Sequence, residues 1–97
     1  MYVVRESDEF TKWLSRLNDR SAKARIAVRL SRIAQGNLGD YKSLGNNLFE
    51  FRITYGPGYR LYFSRAGQTI VVLLMGGDKS SQSRDIDKAR NILKGLE

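Results

Sequence analysis

Between Leu48 and Phe63 apolar and polar side chains alternate, and the alternation is interrupted once, by Gly56-Pro57-Gly58. Phe49, Phe51 and Ile53 oppose Glu50, Arg52 and Thr54; further on, Tyr59, Leu61 and Phe63 oppose Arg60, Tyr62 and Ser64. A period of two is the signature of a strand with one half-buried face. Gly-Pro-Gly reverses the chain, because proline fixes its own φ and glycine tolerates positive φ. These features predict an antiparallel hairpin with strands over 48–55 and 59–65. A three-residue loop places Tyr55 opposite Tyr59, Thr54 opposite Arg60 and Arg52 opposite Tyr62, and gathers the apolar residues on one face. After a turn at Ala66-Gly67-Gln68, Thr69 to Met75 is apolar at nearly every position. That is the pattern of a strand buried on both sides.

Met1 to Arg5 reads as a short leading strand. Ser7 is a helix N-cap followed by Asp8 and Glu9, acids that suit a first turn. Phe10, Trp13, Leu14 and Leu17 recur at helical spacing over 8–17, with Trp13 expected in the core. Asp19 or Ser21 caps a second helix whose stripe is Ala22, Ile26, Leu30 and Ile33 and whose stop is Gly36. Residues 36–47, rich in Gly and Asn, read as loop. A closing helix carries Ile86, Ala89, Leu93 and Leu96 on one stripe. The predicted fold is a single α+β domain over 1–97, in the order β-α-α-β-β-β-α, with an antiparallel sheet and the helices packed on one face. A chain of 97 residues is of one-domain size.

There is no cysteine and no histidine, so disulfides, thiolate metal sites and imidazole catalysis are excluded. No carboxylate cluster argues for a metal, and no cofactor is expected. Ile70 to Met75, the longest strongly apolar run, is too short to span a bilayer, and the start of the chain does not resemble a signal peptide; a cytoplasmic location is the expectation. The formal charge is +7, and it is placed unevenly. Arg20 to Gln35 holds five basic residues and no acid; Tyr41 to Gly77 holds four against Glu50 alone. Such a field attracts a polyanion or an acidic protein. The basic residues of the second helix, Arg29 among them, are expected to form a solvated face.

In the predicted register Arg52, Arg60 and Tyr62 share the sheet face turned away from the helices. Guanidinium forks suit phosphate oxygens and an aromatic ring suits a base. Glu50, the acid on that face, is expected to pair with Arg52 or Arg60. Arg60 is expected to be exposed, so that removing it leaves folding intact within about 0.5 kcal/mol. Gly76-Gly77-Asp78-Lys79 is either a plain strand-to-helix turn or a loop whose backbone N–H groups face an anion. Asp85 and Asp87 fall in the first turn of the closing helix.

Leu48-Phe49-Glu50-Phe51-Arg52-Ile53, Gly58-Tyr59-Arg60-Leu61-Tyr62-Phe63 and Leu73-Leu74-Met75-Gly76-Gly77-Asp78-Lys79-Ser80 together resemble the RelE/ParE toxin superfamily, in particular its phage-derived, HigB-like addiction module killers. The resemblance runs along essentially the whole chain. It implies a RelE-like fold and a toxin that cleaves mRNA on the ribosome without a metal, the 2′-hydroxyl attacking the adjacent phosphate. It further implies that Arg52, Arg60 and Lys79 orient and stabilise that phosphate; Tyr55, Tyr59, Tyr62 and Lys42 are the candidate RNA contacts. The implied partners are mRNA on the ribosome and a cognate antitoxin, a small helix-turn-helix protein. Some members carry a catalytic tyrosine in the closing helix; here Ile86 falls near that place. The general base is therefore open among Tyr62, Tyr55 and Lys79. A ParE-like inhibitor of DNA gyrase and a non-enzymatic RNA- or ribosome-binding module are the alternatives.

Overall fold

The structure is a computed structural model and describes residues 1–96. Five strands form one mixed sheet: β1 (Val3–Glu6), β2 (Tyr41–Gly45), β3 (Leu48–Ile53), β4 (Tyr59–Ala66) and β5 (Ile70–Asp78), in the spatial order β1-β5-β4-β3-β2. β2 to β5 run antiparallel to their neighbours, while β1 lies parallel to β5 at the sheet edge. Helices α1 (Asp8–Arg16) and α2 (Arg20–Ala34) follow β1, and α3 (Gln82–Leu96) closes the chain after one 3-10 turn. The caps are those expected: Ser7 accepts from the Phe10 amide and Asp19 from the Ala22 amide. Gly36 follows α2 at φ +101°.

Several features depart from expectation; the sheet is mixed and not wholly antiparallel, because β1 pairs parallel to β5. Residues 36–47 are not all loop, because Tyr41–Gly45 adds an edge strand to β3. Its turn is Asn46-Asn47, both at positive φ (52° and 62°), the conformation of a hairpin turn matched to strand twist. β2 is exposed along nearly its whole length, so its sequence carries no apolar alternation.

The helices also do not share one face. Phe10, Ala22, Ile26 and Ile33 of α1 and α2 pack on Phe51, Leu61, Phe63 and Leu73. Ala89 and Leu93 of α3 pack on Leu48, Tyr62 and Leu74 on the opposite side. Adjacent Leu73 and Leu74 thus serve different cores, and β5 is covered on both faces as its composition requires. Leu96, expected on the buried stripe, is exposed.

The β3–β4 register is also displaced from expectation. Ile53 faces Tyr59, Arg52 faces Arg60 and Glu50 faces Tyr62, a slide of two residues. The connection is longer than Gly-Pro-Gly. Tyr55 turns back to donate to the Ile53 carbonyl, Gly58 donates to the Tyr55 carbonyl, and Gly56 and Gly58 sit at φ +57° and +80°. A slide of two preserves face parity, so each side chain keeps its predicted face while changing its partner.

Candidate functional site

The displaced register sets Arg52 and Arg60 directly opposite each other on neighbouring strands. Like charges in that relation repel, and Glu50, on the same face, resolves the conflict. Its Oε1 accepts from Arg52 Nε at 2.9 Å and from Arg60 Nη1 at 2.8 Å, and its Oε2 from Gln82 Nε2 at 3.3 Å. The carboxylate is fully buried; the Arg60 side chain is 11% exposed and that of Arg52 56%. A buried carboxylate is tolerable when its lone pairs are met by charged donors. The sequence expectation offered Glu50 one arginine; the fold gives it both.

Arg60 is therefore not the exposed side chain expected, because α3 covers the face that was to be open. Arg52 lies at the uncovered end of that face. With only its Nε engaged by a side chain among the described residues, it presents the rest of its fork outward. Lys42 on β2 faces Glu50 across the β2–β3 pair, and with Arg52, Tyr41 and Asp40 it lines a pocket of about 350 Å³. Lys79, exposed in the 3-10 turn, has its stem beside Gly58 at the β3–β4 connection. Arg52 and Arg60 thus stand side by side on β3 and β4 and Lys42 faces Glu50 from β2, whereas Lys79 lies beyond the end of β5 beside the β3–β4 connection.

The tyrosines are arranged differently from expectation. Tyr59 is buried in the core beneath α1, its ring 6.4 Å from that of Trp13. Tyr62 is fully buried beneath α3. Neither presents a ring face for a base. Tyr55 is half-buried, with the Arg25 guanidinium 4.3 Å above its ring, so its outer face is already occupied. Among the described residues the Tyr62 hydroxyl has no hydrogen-bond partner, and its pKa is pushed up to about 12, first by burial and then by Glu50 and Asp85 nearby. A phenol held neutral this firmly does not serve as a general base near neutrality.

The folded-state pKa of Tyr62 exceeds the unfolded value of 10. Its contribution to stability is therefore complete below pH 10 and lost as pH rises through about 12. Urea melts between pH 9 and about pH 12 should show a steeper loss for the wild type than for Tyr62→Phe; parallel losses would contradict this.

Gly76 and Gly77 are neither a turn nor an anion cradle. Both lie inside β5, Gly76 opposite Leu61 and Gly77 opposite Arg60. A Cβ on Gly76 would overlap the Trp13 ring, and one on Gly77 the Asp85 carboxylate. The pair is glycine because two elements press on the strand from opposite sides. Asp85, in the first turn of α3 as expected, is buried and accepts from the Ser81 hydroxyl above Gly77. Asp78 caps the 3-10 turn, and the Ser80 hydroxyl and amide hold its carboxyl below the ordinary value. Gly76→Ala should cost about 1–3 kcal/mol in urea unfolding, the range for overpacking a filled interior. A loss below about 0.5 kcal/mol would mean that the Trp13 ring moves aside freely.

Sequence reasoning also missed Gln82 and misread Arg29. Nothing in the sequence marks Gln82 as the neutral partner of a buried carboxylate 32 positions away. Arg29 is not part of a solvated face. Its guanidinium donates to the carbonyls of Leu38, Asp40 and Arg52 and lies 5.0 Å from the Phe51 ring centre. Burial lowers its pKa below the ordinary arginine value.

Among known proteins, the chain is similar to an uncharacterized protein of Haemophilus influenzae, 45% identical over 87 residues that cover 90% of this chain and 88% of that protein. No family model matches the chain, and no solved structure matches it.

Proposed function

The chain belongs to the family of that Haemophilus influenzae protein, and we propose that it acts as a RelE/ParE-type toxin, a metal-independent endoribonuclease that cuts mRNA on the ribosome and is neutralised by a small acidic antitoxin. The observation that carries this reading is the Arg52–Glu50–Arg60 cluster on rigid neighbouring strands, with the open end of the Arg52 fork at the sheet rim. The resemblance of the three sequence motifs to that superfamily supports it, as does Lys42, which lines a pocket with Arg52 and Glu50.

In this reading the 2′-oxygen of a ribose attacks the adjacent phosphorus and the bond to the 5′-oxygen breaks, leaving a 2′,3′-cyclic phosphate and a 5′-hydroxyl. The proton lost at the 2′-oxygen and the one gained at the 5′-oxygen are exchanged with water. Arg52 binds a non-bridging phosphate oxygen and meets the charge that develops there; Lys79 adds a point charge. Arg60 is a positioning residue that acts through Glu50, which fixes the Arg52 Nε. Holding fixed charge where the transition state needs it is the larger part of such catalysis.

A ParE-like action on DNA gyrase is the second reading, favoured by one observation: the place of the closing-helix tyrosine is taken by Ile86, which is packed in the α3 core. Expression of the chain in bacteria separates the two. Methionine incorporation should fall within minutes, ahead of thymidine incorporation. If thymidine incorporation falls first, with double-strand breaks, the gyrase reading replaces the nuclease one. Unimpaired growth contradicts both.

A further inference from the structure

A wide concavity adjoins the cluster just described and shares Arg52 with it. It is a groove of about 870 Å³ between α2 and the end of β3, lined by Arg25, Val28, Arg29, Arg32, Asp40 and Arg52 among others. The three helix arginines stand at i, i+4 and i+7, one face of α2, and span about 10 Å along its axis. Four guanidiniums face one carboxylate there, and among the described residues no acid lies within 4 Å of Arg25, Arg29 or Arg32. Uncompensated like charge gathered in a concavity focuses potential outward and is a cost to the fold unless an anion meets it.

The groove is also preformed. Arg29 is fastened to three backbone carbonyls and braces its wall. The Arg25 guanidinium is held over the Tyr55 ring, 4.3 Å from its centre. Arg52 is common to this groove and to the smaller pocket with Lys42 and Glu50.

We propose that the α2–β3 groove binds the sugar-phosphate backbone of a single RNA strand, continuing from the phosphate held at Arg52. The direction of the strand rests on the RNA-cleaving reading; the anion site itself rests on the groove. Arginine forks match phosphate oxygens bidentately. Arg52 lines the groove as well as the smaller pocket, so a strand held there passes from one into the other. No aromatic face is open in it, so the contacts are with backbone rather than bases, and binding is indifferent to sequence.

The test uses a fluorescein-labelled 2′-O-methyl oligoribonucleotide, which cannot be cleaved, so the result does not depend on catalysis. The double variant Arg25→Gln/Arg32→Gln is compared with Arg16→Gln/Lys88→Gln, which removes the same charge from the opposite flank beside Trp13. Thermal melts confirm that both are folded. The groove variant should bind at least about ten-fold more weakly. The slope of log K against log salt should fall by about 1.4, two phosphate contacts at the single-strand value. The flank variant should stay within about two-fold of wild type. Equal losses in the two variants, or no binding by the wild type at low salt, overturn the proposal. So does displacement of the RNA by polyglutamate at equal charge, if that competition is lost in the groove variant; the groove would then belong to an acidic peptide. Groove-specific binding by a protein that leaves ribosomal mRNA intact would retain the site and reject the nuclease reading.

Discussion

Glu50→Gln should lower stability by about 3 kcal/mol, near the lower end of the cost of removing one partner from a buried ion pair. The replacement keeps the shape and removes the charge, so no cavity contributes. What remains is an 11%-exposed Arg60 guanidinium facing a neutral amide, with Arg52 directly opposite it and no longer compensated. Arg52, half in water, contributes little of the loss; most comes from Arg60, whose Nε is already buried without a partner among the described residues. For a domain of this size the loss corresponds to a fall in Tm of roughly 12–24 °C. Arg60→Ala should be destabilising for the same reason, against the near-neutral change that its place in the sequence pattern suggests. Paired urea and thermal melts check both. A Glu50→Gln change within 0.5 kcal/mol would mean that the cluster relaxes into solvent and is not held.

How far the sequence disclosed this arrangement depends on which physical signal each residue carries. Alternation reports the face of a side chain and was right for the strand residues Phe49 to Ile53 and Tyr59 to Phe63. It is blind to a slide of two, so the pairing had to be guessed from the turn; the Tyr55 and Gly58 hydrogen bonds lengthen that turn beyond Gly-Pro-Gly. β2 escaped because an exposed edge strand has no apolar face to alternate. The Gly45-Asn46-Asn47 run, able to hold two residues at positive φ, was the available sign of a hairpin.

The placement of α3 was legible and was not read. A β5 that is apolar on both sides needs cover on both sides, and three helices confined to one face cannot supply it. That single inference would have buried Arg60 and Tyr62 in advance. Gly76-Gly77 carried two meanings that local sequence does not separate, backbone freedom and absence of a Cβ; only the Trp13 ring and the Asp85 carboxylate on either side decide for the second. Gln82 and the internal role of Arg29 had no sequence signal, since an amide at a helix start and an arginine on a helix face look solvated until a distant strand arrives beside them.

Arg52 is the residue on which the catalytic account depends, and it is also the one whose removal the fold tolerates. Its side chain is 56% exposed, and losing it leaves Glu50 paired with Arg60 and Gln82. Arg52→Ala should therefore melt within a few degrees of wild type. If its fork stabilises the charge that develops on the phosphate, cleavage should slow by about 10²–10³-fold, the loss typical of one preorganised donor. Lys88→Ala, with the same charge removed from an exposed position on α3, should slow cleavage by no more than a few-fold through weaker steering. The deciding measurement is single-turnover cleavage of a defined mRNA on programmed ribosomes by wild type, Arg52→Ala and Lys88→Ala. Rapid cleavage by wild type and Lys88→Ala, with a two- to three-decade loss confined to Arg52→Ala, is the predicted result; cleavage unaffected by Arg52→Ala, equal small losses in both variants, or an mRNA left intact by the wild type would contradict it.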